Sequence, residues 1–200
     1  MKNFGKICLL ISTMFIGFSC NREKATTGET DSVEAAEEIN EAKEDTAMAG
    51  EAADTHEEAS EFLVKAASGG LMEVELGKMA QKNGANADVK TFGKRMETDH
   101  TKANQELKTL AASKNVTIPS TPGEDEQKHI NDMQKMTGAA FDRHYMDMMV
   151  TDHKKDIELF EDATEDNEID PDVKAFAQKT LPILRQHLEL AQKTNDKVKK

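Results

Sequence analysis

From Phe62 onward, apolar and small residues recur every three or four positions, and this spacing dominates what the chain can fold into. Phe62, Ala66, Gly69, Glu73, Leu76 and Ala80 step by 4-3-4-3-4. Such a period places side chains along one face of an α-helix. Val89, Phe92, Met96, His100, Ala103, Leu107 and Leu110 continue the rule on a second helix over about 87–114. Asn83-Gly84 is a helix stop between the two. The stretch 116–123, with two prolines and a glycine, reads as a loop. A third helical stretch is expected over 124–166, with a bend near Thr137-Gly138. Asp170-Pro171 is a cap-plus-first-turn signal for a last helix to about 197, with a kink expected at Pro182. Two short links and one longer one predict an all-α, four-helix bundle domain over residues 59–198.

An internal repeat supports two related hairpins. Glu73, Glu75, Leu76 and Ala80 match Asp156, Glu158, Leu159 and Ala163 in register, and Asp88, Val89, Lys90 and Phe92 match Asp172, Val173, Lys174 and Phe176. A third echo pairs Met96, Thr98, Asp99 and His100 with Met149, Thr151, Asp152 and His153, outside the hairpin register.

Ahead of the domain the composition changes. Lys2 and Lys6 precede the short apolar run 7–18, and Ser19 precedes Cys20. About 12 apolar residues are too few for a bilayer span, and the pattern reads as a signal peptide over 1–19. The GFSC ending resembles a lipobox, which makes Cys20 the expected lipidation site and membrane anchor; a plain signal peptide with a chance cysteine is the alternative. Cys8 would leave with the signal, so no thiol remains for a disulfide or a zinc–thiolate site. Residues 20–58 are dense in acids and poor in large apolar side chains, which predicts a disordered acidic tether, with local helix around 33–45. The expected location is the cell envelope, at the outer membrane. A net charge of −12 opposes nucleic-acid binding, which needs cationic side chains to displace counterions.

Three histidines fall on the apolar faces: His100, His153 and His187. With Glu73, each predicted helix points one potential ligand inward. Nitrogen and oxygen donors suit iron, zinc, manganese or copper. Asp99, Asp152, Glu97 and Tyr145 are placed to orient such ligands. Glu97 and His100 share the Glu-x-x-His spacing of di-iron bundles, but Leu184 stands where His187 would need its matching carboxylate. A redox enzyme with a dinuclear centre is therefore the weaker option, and no residue is assigned a catalytic role. A second reading stays open, in which the acids satisfy the histidines structurally and the protein is an envelope interaction or stress-related module. The stretch 144–153, with three methionines between His144 and His153, offers soft donors for copper, although methionine at helical spacing also fills cores. His56 and His129 receive no role, and no protein partner is legible.

Residues 60–195 resemble the exported bacterial helical proteins grouped as domain of unknown function 4142. The features that carry the likeness are Glu73 to Leu76; Met96, Asp99 and His100; Phe141, Asp142 and Tyr145; Met149, Asp152 and His153; and Leu181, Pro182, Leu184 and His187. The resemblance implies a ferritin-like four-helix bundle in the cell envelope, and no activity.

Overall fold

The computed structural model describes residues 31–47 and 51–200, with side chains from 31–44 and 55–200. The signal segment and Cys20 lie outside the described residues. Six helices and no strand occur among the described residues: α1 (Ser32–Ala47), α2 (Glu51–Asn83), α3 (Ala87–Ser113), α4 (Glu124–Gln134), α5 (Gly138–Glu165) and α6 (Pro171–Val198).

The helix ends follow their local chemistry. Asn86 caps α3 by accepting from the Asp88 N–H, and Asp170 caps α6 by accepting from Asp172 and Val173. The bend expected near Thr137-Gly138 is a break between two helices, where Gly138 takes φ +66°, a left-handed backbone that suits glycine. α6 runs as one element through Pro182. Asp142, 3% exposed, accepts from the backbone N–H groups of Ala85 and Asn86, which ties α5 to the α2–α3 turn.

α2 pairs with α3 and α5 with α6, and the two hairpins meet through α2 with α5 and α3 with α6. Their apolar side chains form two clusters. One gathers Phe62, Leu63, Leu107, Phe160, Phe176 and Leu184; the other gathers Leu76, Met96, Phe141, Tyr145, Met146 and Met149. On α3, α5 and α6 a buried histidine sits between the contributions to the two clusters (His100, His153 and His187), and on α2 Glu73 sits at the same boundary, next to Met72.

The expectation of a disordered tether over 20–58 needs correction within the described residues. Residues 32–47 form α1, in the place where local helix was expected, but α1 is docked rather than free. Ala36 and Asn40 are buried. The Asn40 amide donates to the Thr117 carbonyl at 2.9 Å and accepts from its N–H at 2.7 Å. His56 contacts Glu44 at 2.7 Å and the Lys114 carbonyl at 3.1 Å, joining α1, α2 and the end of α3. α2 also starts at Glu51, ahead of the expected boundary at 59. Acid-rich composition misleads here because the few small and amide side chains that dock α1 carry little hydropathy.

α2 and α3 approach unusually closely. A Cβ on Gly77 would lie 2.6 Å from the Gly93 carbonyl oxygen and 2.9 Å from the Glu97 nitrogen. This crossing lies one turn from Glu73 and two turns from His100. Gly77→Val is expected to cost about 2–3 kcal/mol through overpacking, read as a lower urea midpoint; a loss below about 0.5 kcal/mol would show that the close approach is dispensable.

Candidate metal centre

The centre is a polar layer between two apolar ones. Glu73 is 2% exposed, His100 6%, His153 0% and His187 1%. Imidazole centroids are 5.4 Å apart for His100–His187, 5.5 Å for His153–His187 and 5.8 Å for His100–His153. One ring nitrogen from each of the three lies within 4.8 Å of those of the other two.

Each ring has one nitrogen occupied and one buried without a partner. His100 Nδ1 lies 2.7 Å from Glu73 Oε2. His153 Nδ1 donates to the Met149 carbonyl at 3.0 Å and lies 3.2 Å from Glu73 Oε1. His187 Nε2 is 2.8 Å from Asp99 Oδ2. Left over are His100 Nε2, His153 Nε2 and His187 Nδ1, together with Glu73 Oε1, Tyr145 Oη and Asp152 Oδ2. Buried polar atoms normally have partners, so six orphans around one layer call for an explanation.

The charges follow from burial and proximity. Burial would raise the Glu73 carboxyl, yet the attraction of His100 and then of His153, with the hydrogen bond from His100, holds it down at about 2. Burial first, and then repulsion from His100, pulls His187 down to about 4 against its bond to Asp99. His153 is also lowered, mainly by burial. Both imidazoles are therefore neutral near pH 7, the form that ligates metals. Burial pushes Asp152 up to about 6, and burial together with the charges of Glu73 and Asp152 pushes Asp156 well above the usual carboxylate range. Tyr145 is raised by burial and by the Glu73 charge.

The sequence-predicted residues divide clearly. Glu73, His100, His153 and His187 come together. Asp99 joins them, but through His187 on α6 rather than through its neighbour His100. Consecutive residues on a helix point about 100° apart, so an acid beside a histidine serves another helix. Asp152 beside His153 makes no hydrogen bond to any imidazole. Glu97 bonds Gln81 and Lys94 at 2.9 Å each, away from the imidazoles. Tyr145 is fully buried, stacked on Phe141 and edge-on to Phe92. Met146 and Met149 lie in the apolar core while His144 is exposed, so the methionine-rich stretch does not unite its two histidines. Asp156 was not singled out as a site residue, yet Glu73, His153 and Asp156 form a second group within 4.8 Å. The repeat already paired Asp156 with Glu73, and that was the signal to follow.

A cavity of about 80 Å³ reaches this layer, bordered by Glu73, Asp99, His100, Asp156 and His187 and by apolar walls that include Leu107 and Phe176. That is room for more than one water. Together, buried imidazoles with free nitrogens, a fixed carboxylate and an approach for small molecules make a group that can hold a metal ion.

Comparison with known families places the chain. Residues 43–194 match the family described as domain of unknown function (DUF4142), and the protein belongs to that family. No curated protein and no solved structure gives a significant match.

In the metal-free protein, neutral His187 stabilises the fold. Its folded pKa lies below the ordinary 6.5, so its contribution is complete above pH 6.5 and is lost as pH falls through about 4, because the unfolded chain takes up the proton first. The size is about 3 kcal/mol at most. Asp152, raised from 3.8 to about 6, works in the opposite direction between those values. Comparing wild type with His187→Gln isolates the histidine: the acid-side loss of stability between pH 6.5 and 4 should shrink in the variant. An NMR midpoint for His187 at or above 6 would contradict this.

Proposed function

We propose that the protein is an envelope module that binds one transition-metal ion inside a ferritin-like four-helix bundle made of α2, α3, α5 and α6. Its ligands are His100 Nε2, His153 Nε2 and His187 Nδ1. Glu73 fixes His100 and supplies the compensating charge, the Met149 carbonyl fixes His153, and Asp99 fixes His187. The observation that carries this reading is the division of each imidazole into one tied and one orphaned buried nitrogen. A bound cation removes the cost of leaving three such atoms unpaired in a dry layer. An outer carboxylate or carbonyl on the far nitrogen is the usual way to set tautomer and ring orientation in metal sites.

The spacing supports it as well. One ring nitrogen from each histidine within 4.8 Å of the others needs only a small inward shift to meet a metal at about 2.1 Å. The cavity beside the rings leaves a coordination position for water or a small ligand, as exchangeable sites require and closed structural sites do not. Neutral nitrogen donors with nearby carboxylates suit zinc, iron or manganese, and copper on nitrogen alone.

The family membership fits the two-hairpin pairing but brings no activity with it. For the amino-terminal segment, the lipobox-like GFSC sequence supports lipid anchoring through Cys20 at the outer membrane; Cys20→Ser should then move the protein from the membrane to the soluble fraction, and unchanged fractionation would remove this part.

The metal reading is tested on untagged protein reconstituted with Zn²⁺ and analysed for metal after gel filtration. Wild type should retain at least one equivalent, and His100→Gln or His187→Gln should lower affinity by a hundredfold or more. Less than about 0.2 equivalents in wild type would defeat the reading and leave the buried acids and imidazoles as a structural hydrogen-bond layer.

A further inference from the structure

Asp156 lies one turn beyond Asp152 on α5 and makes no hydrogen bond or ion pair among the described residues. It borders two openings. One is the cavity at the imidazoles; the other is a wider groove of about 510 Å³ between α2, α4 and α5. Asp152 lines the same groove, is 8% exposed, and its Oδ2 has no partner. Behind them, Glu73 Oε1 also lacks a hydrogen bond. Asp156, Glu73 and His153 each place a ligand atom within 4.8 Å of the others. The rim carries both signs, including Lys65, Lys128 and Lys155, yet no lysine closes on either aspartate. An unpaired buried carboxylate is costly, and pairing with a cation is the ordinary remedy.

We propose that Asp156 and Glu73 Oε1, with Asp152 at the groove side, form a second cation position next to the imidazole site, reached from the α2–α4–α5 groove. It takes a divalent ion that accepts oxygen donors, such as Zn²⁺ or Mn²⁺. This inference rests on the imidazole site proposed above, because Glu73 then serves both ions, with Oε2 holding His100 and Oε1, which no hydrogen bond occupies, left for the second ion. Charge favours the pair of sites. Glu73, Asp99, Asp152 and Asp156 bring four carboxyl groups to one layer, and two divalent ions would hold all four in the ionised form. The carboxylates that the Glu-x-x-His spacing at Glu97 failed to provide come instead from the repeat-related Glu73 and Asp156.

The test is a Zn²⁺ titration of the untagged protein followed by native mass spectrometry, with helicity checked by circular dichroism. Wild type should take up two ions in two steps. Asp156→Asn should stop at one, and Asp152→Asn should weaken the second step at least tenfold while leaving the first in place. If Asp156→Asn loses its helix content, Asp152→Asn alone decides. A wild type that stops at one ion, with Asp156→Asn identical to it, overturns the second position and leaves the imidazole site standing. Two ions in both wild type and Asp156→Asn overturn the assignment of the residues. No ion at all removes the imidazole site, and this position with it.

Discussion

Glu73 is a carboxylate with 2% of its surface in contact with solvent, in the middle of a helix, between two layers of aliphatic and aromatic side chains. A charge in that position must be compensated at close range, because the alternative is several kcal/mol of uncompensated desolvation. Its close partners are His100 on α3 and His153 on α5, at 2.7 and 3.2 Å. One side chain therefore fixes the register of three helices at once. α6 is brought into the same layer by His187 through Asp99 of α3. The glycine contact between Gly77 and Gly93 lets α2 and α3 run close enough for the short Glu73–His100 distance.

The same layer gives the protein its chemistry. Apolar residues above and below lower the local dielectric, which strengthens every polar contact inside and raises the cost of each one left unmade. The rings are tied on one edge only. His100 and His187 border a small cavity, and so does Asp156, which also reaches the outer groove. Hydrogen bonding within the protein accounts for one half of each imidazole, and the proposed cation would satisfy the other.

Much of this was legible in the chain. The three- and four-residue spacing gave the helices and the inward direction of Glu73, His100, His153 and His187, and Asp170-Pro171 marked the start of α6. Periodicity reports direction, however, and not partners. It could not show that Asp99 bonds the histidine of another helix, or that Asp152 bonds none. Glu97 looked like a partner because it is one turn from His100, but Gln81 and Lys94 hold it elsewhere. The docking of α1 was hidden because Ala36 and Asn40 act through fit and a pair of amide hydrogen bonds rather than through hydropathy. Asp156 was visible only through the repeat that aligns it with Glu73, and its approach to Glu73 and His153, which the sequence does not report, is what gives it meaning.

X-ray absorption on the Zn²⁺-loaded protein addresses the central claim most directly, because it reports the atoms bonded to the metal. Three imidazole nitrogens at about 2.0–2.1 Å, with the multiple-scattering pattern of histidine rings, are predicted. An oxygen-only shell, or a single histidine, would contradict the account.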